Sequence, residues 1–472
     1  RVAYFTMEIA LDKDIHTYSG GLGILAGDTL RSAADLDIPL IVVTLASRAG
    51  YFYQQINQNG WQQEQPEFWE PAKFAQPLEA KVCVTIESRP VWVGGWLYIY
   101  EGHMGGLLPV LLLDTDFDEN NYADRELTHY LYGGDVVYRL KQEIVLGVAG
   151  VRMLRALGYT IFQYHMNEGH SALLGVELLR SKALPKEVLR VGESPYEVPE
   201  VRELCNFTTH TPIEAGHDRF DYGLVNRLLG DYIDINELKK FAGNDCLNMT
   251  QLALNLSEYV NGVAKRHAEV SRTMFPGYNI SSITNGVHPF TWTSDPFKKI
   301  YDSHIPGWCH EPELLVRAEC CIEDIDIWNA HQAAKETFLN KIKTLTDMQL
   351  DLEKPILGFA RRMTAYKRPD LLFNDLNRLK KIAHNFPFQL VFAGKAHPKD
   401  NDGKNLIQLI YSIKQELEGS IPIVFLPNYD MALAQVMIAG TDVWLNTPLP
   451  PLEASGTSGM KATFNGVPNL SV

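Results

Sequence analysis

The run Pro355-Ile356-Leu357-Gly358-Phe359-Ala360, followed at once by Arg361-Arg362-Met363-Thr364-Ala365-Tyr366-Lys367-Arg368, decides how this chain is read. A short apolar stretch that stops abruptly at polar residues has the form of a buried parallel strand, and the cations then stand at its carboxyl end. Runs of the same kind recur at Phe388–Ala393, Ile421–Leu426 and Asp442–Leu445, and earlier at Arg1–Met7, Pro39–Leu45, Ile161–Met166 and Cys205–Thr209. Each leads into polar or glycine-rich residues and then a helical pattern, the rhythm of a doubly wound α/β sheet. The expected fold class is therefore α/β, with two Rossmann-like domains facing a central cleft. The Gly/Pro turn TNGVHPFTW (284–292) marks the boundary between them. That gives one domain over residues 1–288 and a second over 289–472.

Length and composition agree with two globular domains: 472 residues, 46 % of them hydrophobic. Lys+Arg 43 against Asp+Glu 57 leaves a net charge of −14, which disfavours nucleic acid and anionic membranes as partners. An anionic substrate must then find a local basic pocket. The six cysteines (Cys83, Cys205, Cys246, Cys309, Cys320, Cys321) form no CxxC pair, and a reducing compartment, the cytoplasm, fits them. No apolar run reaches the ~20 residues that span a bilayer, and residues 1–10 lack the layout of a signal peptide. The chain opens without a methionine, which leaves a removed leader open.

In open α/β sheets ligands sit beyond the carboxyl ends of strands. The four cations of 361–368 occupy such a position in an otherwise acidic chain, and arginine forks match phosphate oxygens while lysine adds a mobile point charge. A solvated charged helix start is the blander reading of the same residues. The loop Glu453-Ala454-Ser455-Gly456-Thr457-Ser458-Gly459-Met460-Lys461 follows another strand and enters a helix, so its backbone can approach an anion closely. Lys461, about one turn inside, stands where a pyridoxal-phosphate Schiff base could form.

A third loop, 18–28, contains Gly21-x-Gly23-x-x-Ala26. It lies too far behind its strand for a dinucleotide fingerprint and is read as an anion- or sugar-approaching loop. His165, Glu168 and His170 invite a metal reading, but the histidine spacing is not the i, i+4 arrangement of zinc proteases, and no metal is expected. His210, in Thr208-Thr209-His210-Thr211-Pro212, could hydrogen-bond a sugar hydroxyl or be a structural histidine. Trp61, Trp69, Trp92 and Trp96 could stack on sugars, although such residues are more often core.

Taken together these segments resemble the α-glucan (glycogen, starch, maltodextrin) phosphorylases. EASGTSGMK (453–461) is similar to that family's cofactor-lysine motif and RRMTAYKR (361–368) to its phosphate-binding segment. SGGLGILAGD (19–28), HMNEGH (165–170), TTHTP (208–212), VNGVAKRH (260–267) and TNGVHPFTW (284–292) follow in the family's order. The resemblance covers essentially the whole chain and is closest to the shorter bacterial and archaeal-type members.

It implies a glycosyltransferase of the GT-B fold that uses pyridoxal 5′-phosphate. Terminal α-1,4-glucosyl units of a glucan or maltodextrin would pass to inorganic phosphate with retention, giving α-D-glucose 1-phosphate. Lys461 would be the Schiff-base lysine, with Gly21, Thr457 and Ser458 around the cofactor phosphate and Trp292 near the pyridoxal group. Arg361, Arg362 and Lys367 would hold the substrate phosphate. Leu22, His210, Asn285, Tyr366, Glu453, Ser455 and Gly456 would line the glucosyl pocket. Lys461, Arg362, Lys367 and His210 would be the catalytic set, with the cofactor's 5′-phosphate doing the proton chemistry and no carboxylate nucleophile. A homodimer is implied as well.

Four departures accompany the resemblance. Arg361 stands where the best-known members have lysine, and Gly459 where they have asparagine. The gating loop before RLKQE is shortened to Tyr132-Gly133-Gly134-Asp135, and the C-terminal domain is expected to be incomplete. Two other functions compete: a nucleotide-sugar-dependent glycogen or starch synthase, which needs no pyridoxal phosphate, and a catalytically idle glucan-binding protein.

Overall fold

The computed structural model describes residues 1–190, 193–213 and 216–472, with Lys186 described by its backbone alone. The chain divides into two compact units, one of residues 1–51 and 67–285, the other of residues 52–66 and 286–472. Residues 52–66 thus leave the first half of the sequence to join the second unit.

The first unit is built on strands β1 (Val2–Thr6), β2 (Leu40–Leu45), β3 (Arg89–Glu101), β4 (Leu107–Asp114), β5 (Gln163–Asn167), β6 (Cys205–Thr209), β7 (Tyr259–Gly262) and β8 (Ser281–Ser282). They lie in the order β8-β7-β6-β5-β1-β2-β4-β3 within a ten-stranded sheet. Pairing is parallel from β8 to β4, and β3 then runs antiparallel along β4. The long β3 arm was not expected from the apolar runs. β1 and β2 are apolar on both faces, with Thr6 and Thr44 the exceptions, because both faces are covered. Phe5, Ile41 and Val43 join one core, and Tyr4, Leu40 and Val42 the other.

Chain order reverses between β1 and β5, so the crevice beyond their carboxyl ends is the switch point of this sheet. Helix α1 (Gly21–Asp35) starts near it. The glycines of α1 divide by purpose. A Cβ on Gly20 or Gly21 would meet no atom within 4 Å, whereas one on Gly23 would lie 2.7 Å from Glu8 Oε2 and one on Gly27 2.2 Å from the Ala10 carbonyl oxygen. The glycine run is therefore partly a packing device. Gly27→Ala is expected to destabilise the first unit by about 1–3 kcal/mol, because the clash is with backbone. Urea unfolding of the full chain checks this, and an unchanged midpoint would contradict it.

The second unit has a five-stranded parallel sheet: β9 (Ile356–Ala360), β10 (Gln389–Ala393), β11 (Ile423–Leu426), β12 (Val443–Asn446) and β13 (Asn469–Ser471), in the order β11-β10-β9-β12-β13. Its switch point lies between β9 and β12, where Arg361 and Asn446 emerge. Phe359, Leu390, Phe392, Ile423 and Phe425 fill a core beneath helix α2 (Asn401–Glu416) through Ile407 and Ile410. Residues 53–65 add an antiparallel hairpin, Tyr53–Ile56 with Gln62–Gln65. Gln54 Nε2 donates to the Gly394 carbonyl at 2.9 Å, and Gln62 Nε2 to the Ala396 carbonyl at 2.9 Å. Buried amides paired in this way hold the hairpin in register on the sheet's carboxyl edge.

Candidate active site

In the second unit the two motifs that looked chemical on sequence come together. Arg361 leaves β9 directly, and its Nη1 donates to Asn446 Oδ1 at the end of β12. Its Nη2 lies 3.0 Å from Glu453 Oε1, while Lys367 Nζ pairs with Glu453 Oε2. One carboxylate thus holds two almost fully buried cations.

The backbone explains the convergence. Arg368, with φ of +47°, donates from Nε to the Thr447 carbonyl at 2.8 Å and from Nη2 to the Pro448 carbonyl at 2.9 Å. The Leu449 amide donates to the Tyr366 carbonyl at 2.8 Å. The loop after β12 is thereby clamped to the turn after β9, and Arg368, the fourth cation of its cluster, is a structural clamp. Burial is the main reason that the Lys367 ammonium falls to about 7, with like charge from Arg361 adding to it and Glu453 opposing it.

Arg362 is exposed, its guanidinium adding like charge to Lys367 and acting on Tyr366, whose hydroxyl burial raises. Gly456 borders the triad of Arg361, Lys367 and Glu453: a Cβ there would lie 3.7 Å from Arg361 Nη2. Ser455 and Thr457 are half-buried in the same loop.

The loop ends in the short helix α3 (Ser458–Thr463), and Lys461 sits in it, 6 % exposed, with Nζ 3.8 Å from the centroid of the buried Trp292 ring. The Ser458 hydroxyl accepts from Trp444 Nε1 at 3.0 Å. A Cβ at Gly459 would lie 2.6 Å from Oδ1 of the exposed Asn469, whose side chain would have to turn aside for a larger residue. One organiser escaped the sequence reading. Asn465, fully buried, donates from Nδ2 to the carbonyls of Trp292 at 2.7 Å and Lys461 at 3.1 Å, and accepts from the Ser294 amide at 2.8 Å. Its only sequence signal, Asn-Gly after a helix, reads as an ordinary turn.

In the first unit a second set of polar groups gathers at the switch point. Glu8, just past β1, accepts from the Ser19 amide at 2.7 Å, the Gly20 amide at 3.1 Å and the Tyr132 hydroxyl at 2.9 Å. It pins the loop that carries Gly21, which is exposed, and Leu22, which is half-buried. Glu8 was missed on sequence, although its place after a strand end was a signal.

Glu168, with φ of +70° and a carboxyl raised by burial, accepts from the His210 amide at 2.7 Å and the Thr211 hydroxyl at 3.0 Å. His210 Nε2 lies 2.6 Å from Asn167 Oδ1, and Asn167 Nδ2 donates to Thr6 Oγ1 at 3.1 Å. Because Asn167 spends its amide on Thr6, its oxygen must accept, and His210 carries its proton on Nε2. Burial, first, pulls His210 down to about 3, so the ring is neutral. His165 bonds Thr208 and His170 lies 3.4 Å from Asp218, both within the framework. Among the described residues no group of three or more His, Cys, Asp or Glu is placed to hold a metal. Asn285 is half-buried, its amide donating to the Val263 carbonyl at 3.0 Å. Trp69 is core and donates to the Ser47 carbonyl, and Trp96 donates to Asp114.

Two doubly wound α/β units, one of which brings an arginine and a lysine onto one carboxylate at its switch point and carries a second buried lysine in the helix that ends the same loop, define a protein of the GT-B type equipped to handle an oxyanion. Residues 233–471 match the family model described as carbohydrate phosphorylase. The whole chain is 40 % identical to a maltodextrin phosphorylase of Thermococcus litoralis and 36 % identical to a glycogen phosphorylase of Mycobacterium tuberculosis, covering 60 % of each of those proteins. It is 36 % identical to a glycogen phosphorylase of Aquifex aeolicus, of which it covers 73 %. The chain belongs to the carbohydrate phosphorylase family. It spans about 60 % of the length of the first two relatives.

Proposed function

We propose that this chain carries α-1,4-glucan phosphorylase activity, moving terminal glucosyl units of a glucan or maltodextrin to inorganic phosphate with retention to give α-D-glucose 1-phosphate. The observation that carries this reading is the convergence of Arg361 and Lys367 on a single carboxylate, at the start of the loop that ends in buried Lys461. The names of the Thermococcus, Mycobacterium and Aquifex relatives support it.

The second unit's residues fit pyridoxal 5′-phosphate. Lys461 offers an amine in a desolvated setting against the Trp292 indole, and Thr457 and Ser458 open the helix that carries it. When bound, the cofactor supplies a phosphate monoester whose second pKa of about 6 lets it hold or release a proton near neutrality. Arg361 and Lys367, with Arg362, bind and orient the inorganic phosphate. Arg361 is fixed for this by Asn446, so little reorganisation is needed when the anion arrives. Glu453, Ser455, Gly456 and Tyr366 are proposed to contact the glucosyl unit. In the first unit, Gly21 is proposed to face the cofactor phosphate, and Leu22, His210 and Asn285 to contact sugar. With its proton committed to Asn167, neutral His210 has Nδ1 as the ring atom able to accept from a sugar hydroxyl. The reducing cytoplasm is the proposed compartment, supported by six cysteines outside any disulfide. Among the described residues no helix is long and apolar enough to cross a membrane.

The absorbance spectrum of the purified chain, followed by a maltodextrin-plus-phosphate assay for glucose 1-phosphate, tests the reading. A pyridoxal chromophore with phosphate-dependent product is expected. Turnover only with a nucleotide sugar, and no chromophore, would replace it with a synthase.

Lys367 adds a pH signature. A bound anion raises the ammonium's pKa above its ligand-free value of about 7, so binding takes up a proton and affinity falls as pH rises through that value. Sulfate, whose charge is constant there, is expected to weaken by up to ~10-fold per pH unit above neutrality. Calorimetry in two buffers of different ionisation enthalpy measures both effects; a constant Kd with no proton uptake would remove Lys367 from the anion site.

A further inference from the structure

The Glu453 carboxylate binds the two cations that the proposed function gives to phosphate, and the same side chain is proposed to contact the sugar. The two uses compete for one carboxylate, because each oxygen, although it keeps a second lone pair, has already committed its charge to a cation. Oε1 is taken by Arg361 and Oε2 by Lys367, so neither oxygen is left fully available to a sugar hydroxyl. The cations are buried, with side chains 8 % and 9 % exposed, whereas Glu453 is 19 % exposed and is the more accessible partner. Arg361 is held from its other side by Asn446. The guanidinium therefore keeps its place when the carboxylate turns away, and the moving part is Glu453.

We propose that Glu453 is an internal stand-in for phosphate that couples the two substrates: phosphate on Arg361 and Lys367 releases Glu453 to the sugar, and sugar on Glu453 releases the two cations to phosphate. This deepens the phosphorylase reading and rests on it. A tetrahedral anion offers two oxygens to the same pair of cations and carries more charge than one carboxylate, so it displaces Glu453 without leaving either cation buried and unpaired. Each substrate removes a competitor of the other, so the binding free energies are linked with positive sign. The linkage is reciprocal.

The test uses the cofactor-loaded full chain, with sulfate as a non-reacting probe of the phosphate position and maltoheptaose as the sugar. Calorimetric titration is expected to show each ligand tightening the other by at least ~5-fold, by the same factor in both orders. In Glu453→Gln, which keeps the side chain's shape but not its charge, sulfate alone should bind at least ~5-fold more tightly than in the unmodified chain, and the coupling should shrink to within about twofold. Independent binding of the two ligands in the unmodified chain overturns the proposal, whether or not the variant folds. So does unchanged or weaker sulfate binding by a folded Glu453→Gln. The two readings fail separately. No glucose 1-phosphate release by the unmodified chain defeats the phosphorylase reading itself, while release without coupling defeats only the coupling role of Glu453.

Discussion

Lys461→Ala is expected to yield a folded protein that retains no pyridoxal chromophore through gel filtration and releases glucose 1-phosphate at least ~10³-fold more slowly, a loss of about 4 kcal/mol in transition-state stabilisation. The expectation rests on the position of the amine. Lys461 is almost fully buried, and its nitrogen faces the indole of Trp292. Such a contact contributes roughly 0.5–2 kcal/mol and is set against the cost of desolvating the ammonium. Removing both changes the stability of the cofactor-free chain little, so a thermal melt separates loss of the cofactor from loss of the fold. Retained chromophore together with retained turnover would eliminate Lys461 as the cofactor's anchor.

The second large effect belongs to Asn465, a residue with no proposed contact to any substrate. Asn465→Ala deprives the half-buried Ser294 amide of its acceptor and the carbonyls of Trp292 and Lys461, in the interior, of their donor. Each such group left unpaired costs about 1–3 kcal/mol, so the three together cost the second unit roughly 3–9 kcal/mol. Asn465→Asp should be no better, because it keeps the acceptor, loses both donors and introduces a buried charge. Urea unfolding of the cofactor-free chain reads this directly. An Asn465→Ala protein that unfolds with the unmodified chain would mean that Trp292 and Lys461 are held by something other than this amide.

The parallel strands were legible because burial on both faces writes them as continuous apolar runs. Pro355–Ala360 and Phe388–Ala393 anticipate β9 and β10 to within a residue at either end. Arg361, Lys367 and Glu453 were legible for a related reason: each follows a strand, where ligand chemistry concentrates. What escaped depends on partners distant in sequence. β3 alternates in character and carries Gly94-Gly95, so its pairing along β4 does not stand out as an apolar run. The hairpin at 53–65 carries Asn59-Gly60, a strong turn signal, but no local pattern says that its glutamines serve carbonyls just past β10. Asn465 and Glu8 are single polar residues outside any motif, recognisable only once the backbone groups they satisfy are in place.

The displaced hairpin has a consequence for how the protein is made. Gln54 must find the Gly394 carbonyl 340 positions further along the chain. At roughly 5–20 residues per second, a ribosome needs about 17–70 s to deliver that partner. For that interval the bonds that Gln54 and Gln62 send outward to the Gly394 and Ala396 carbonyls go to water, while their mutual pairing at 2.8 Å is local, and the nascent first unit must fold around an excursion that is not its own. The second unit is therefore completed late and from both directions. A slow step in the birth of this protein is expected to be the capture of residues 52–66, well after the strands of the first sheet have paired.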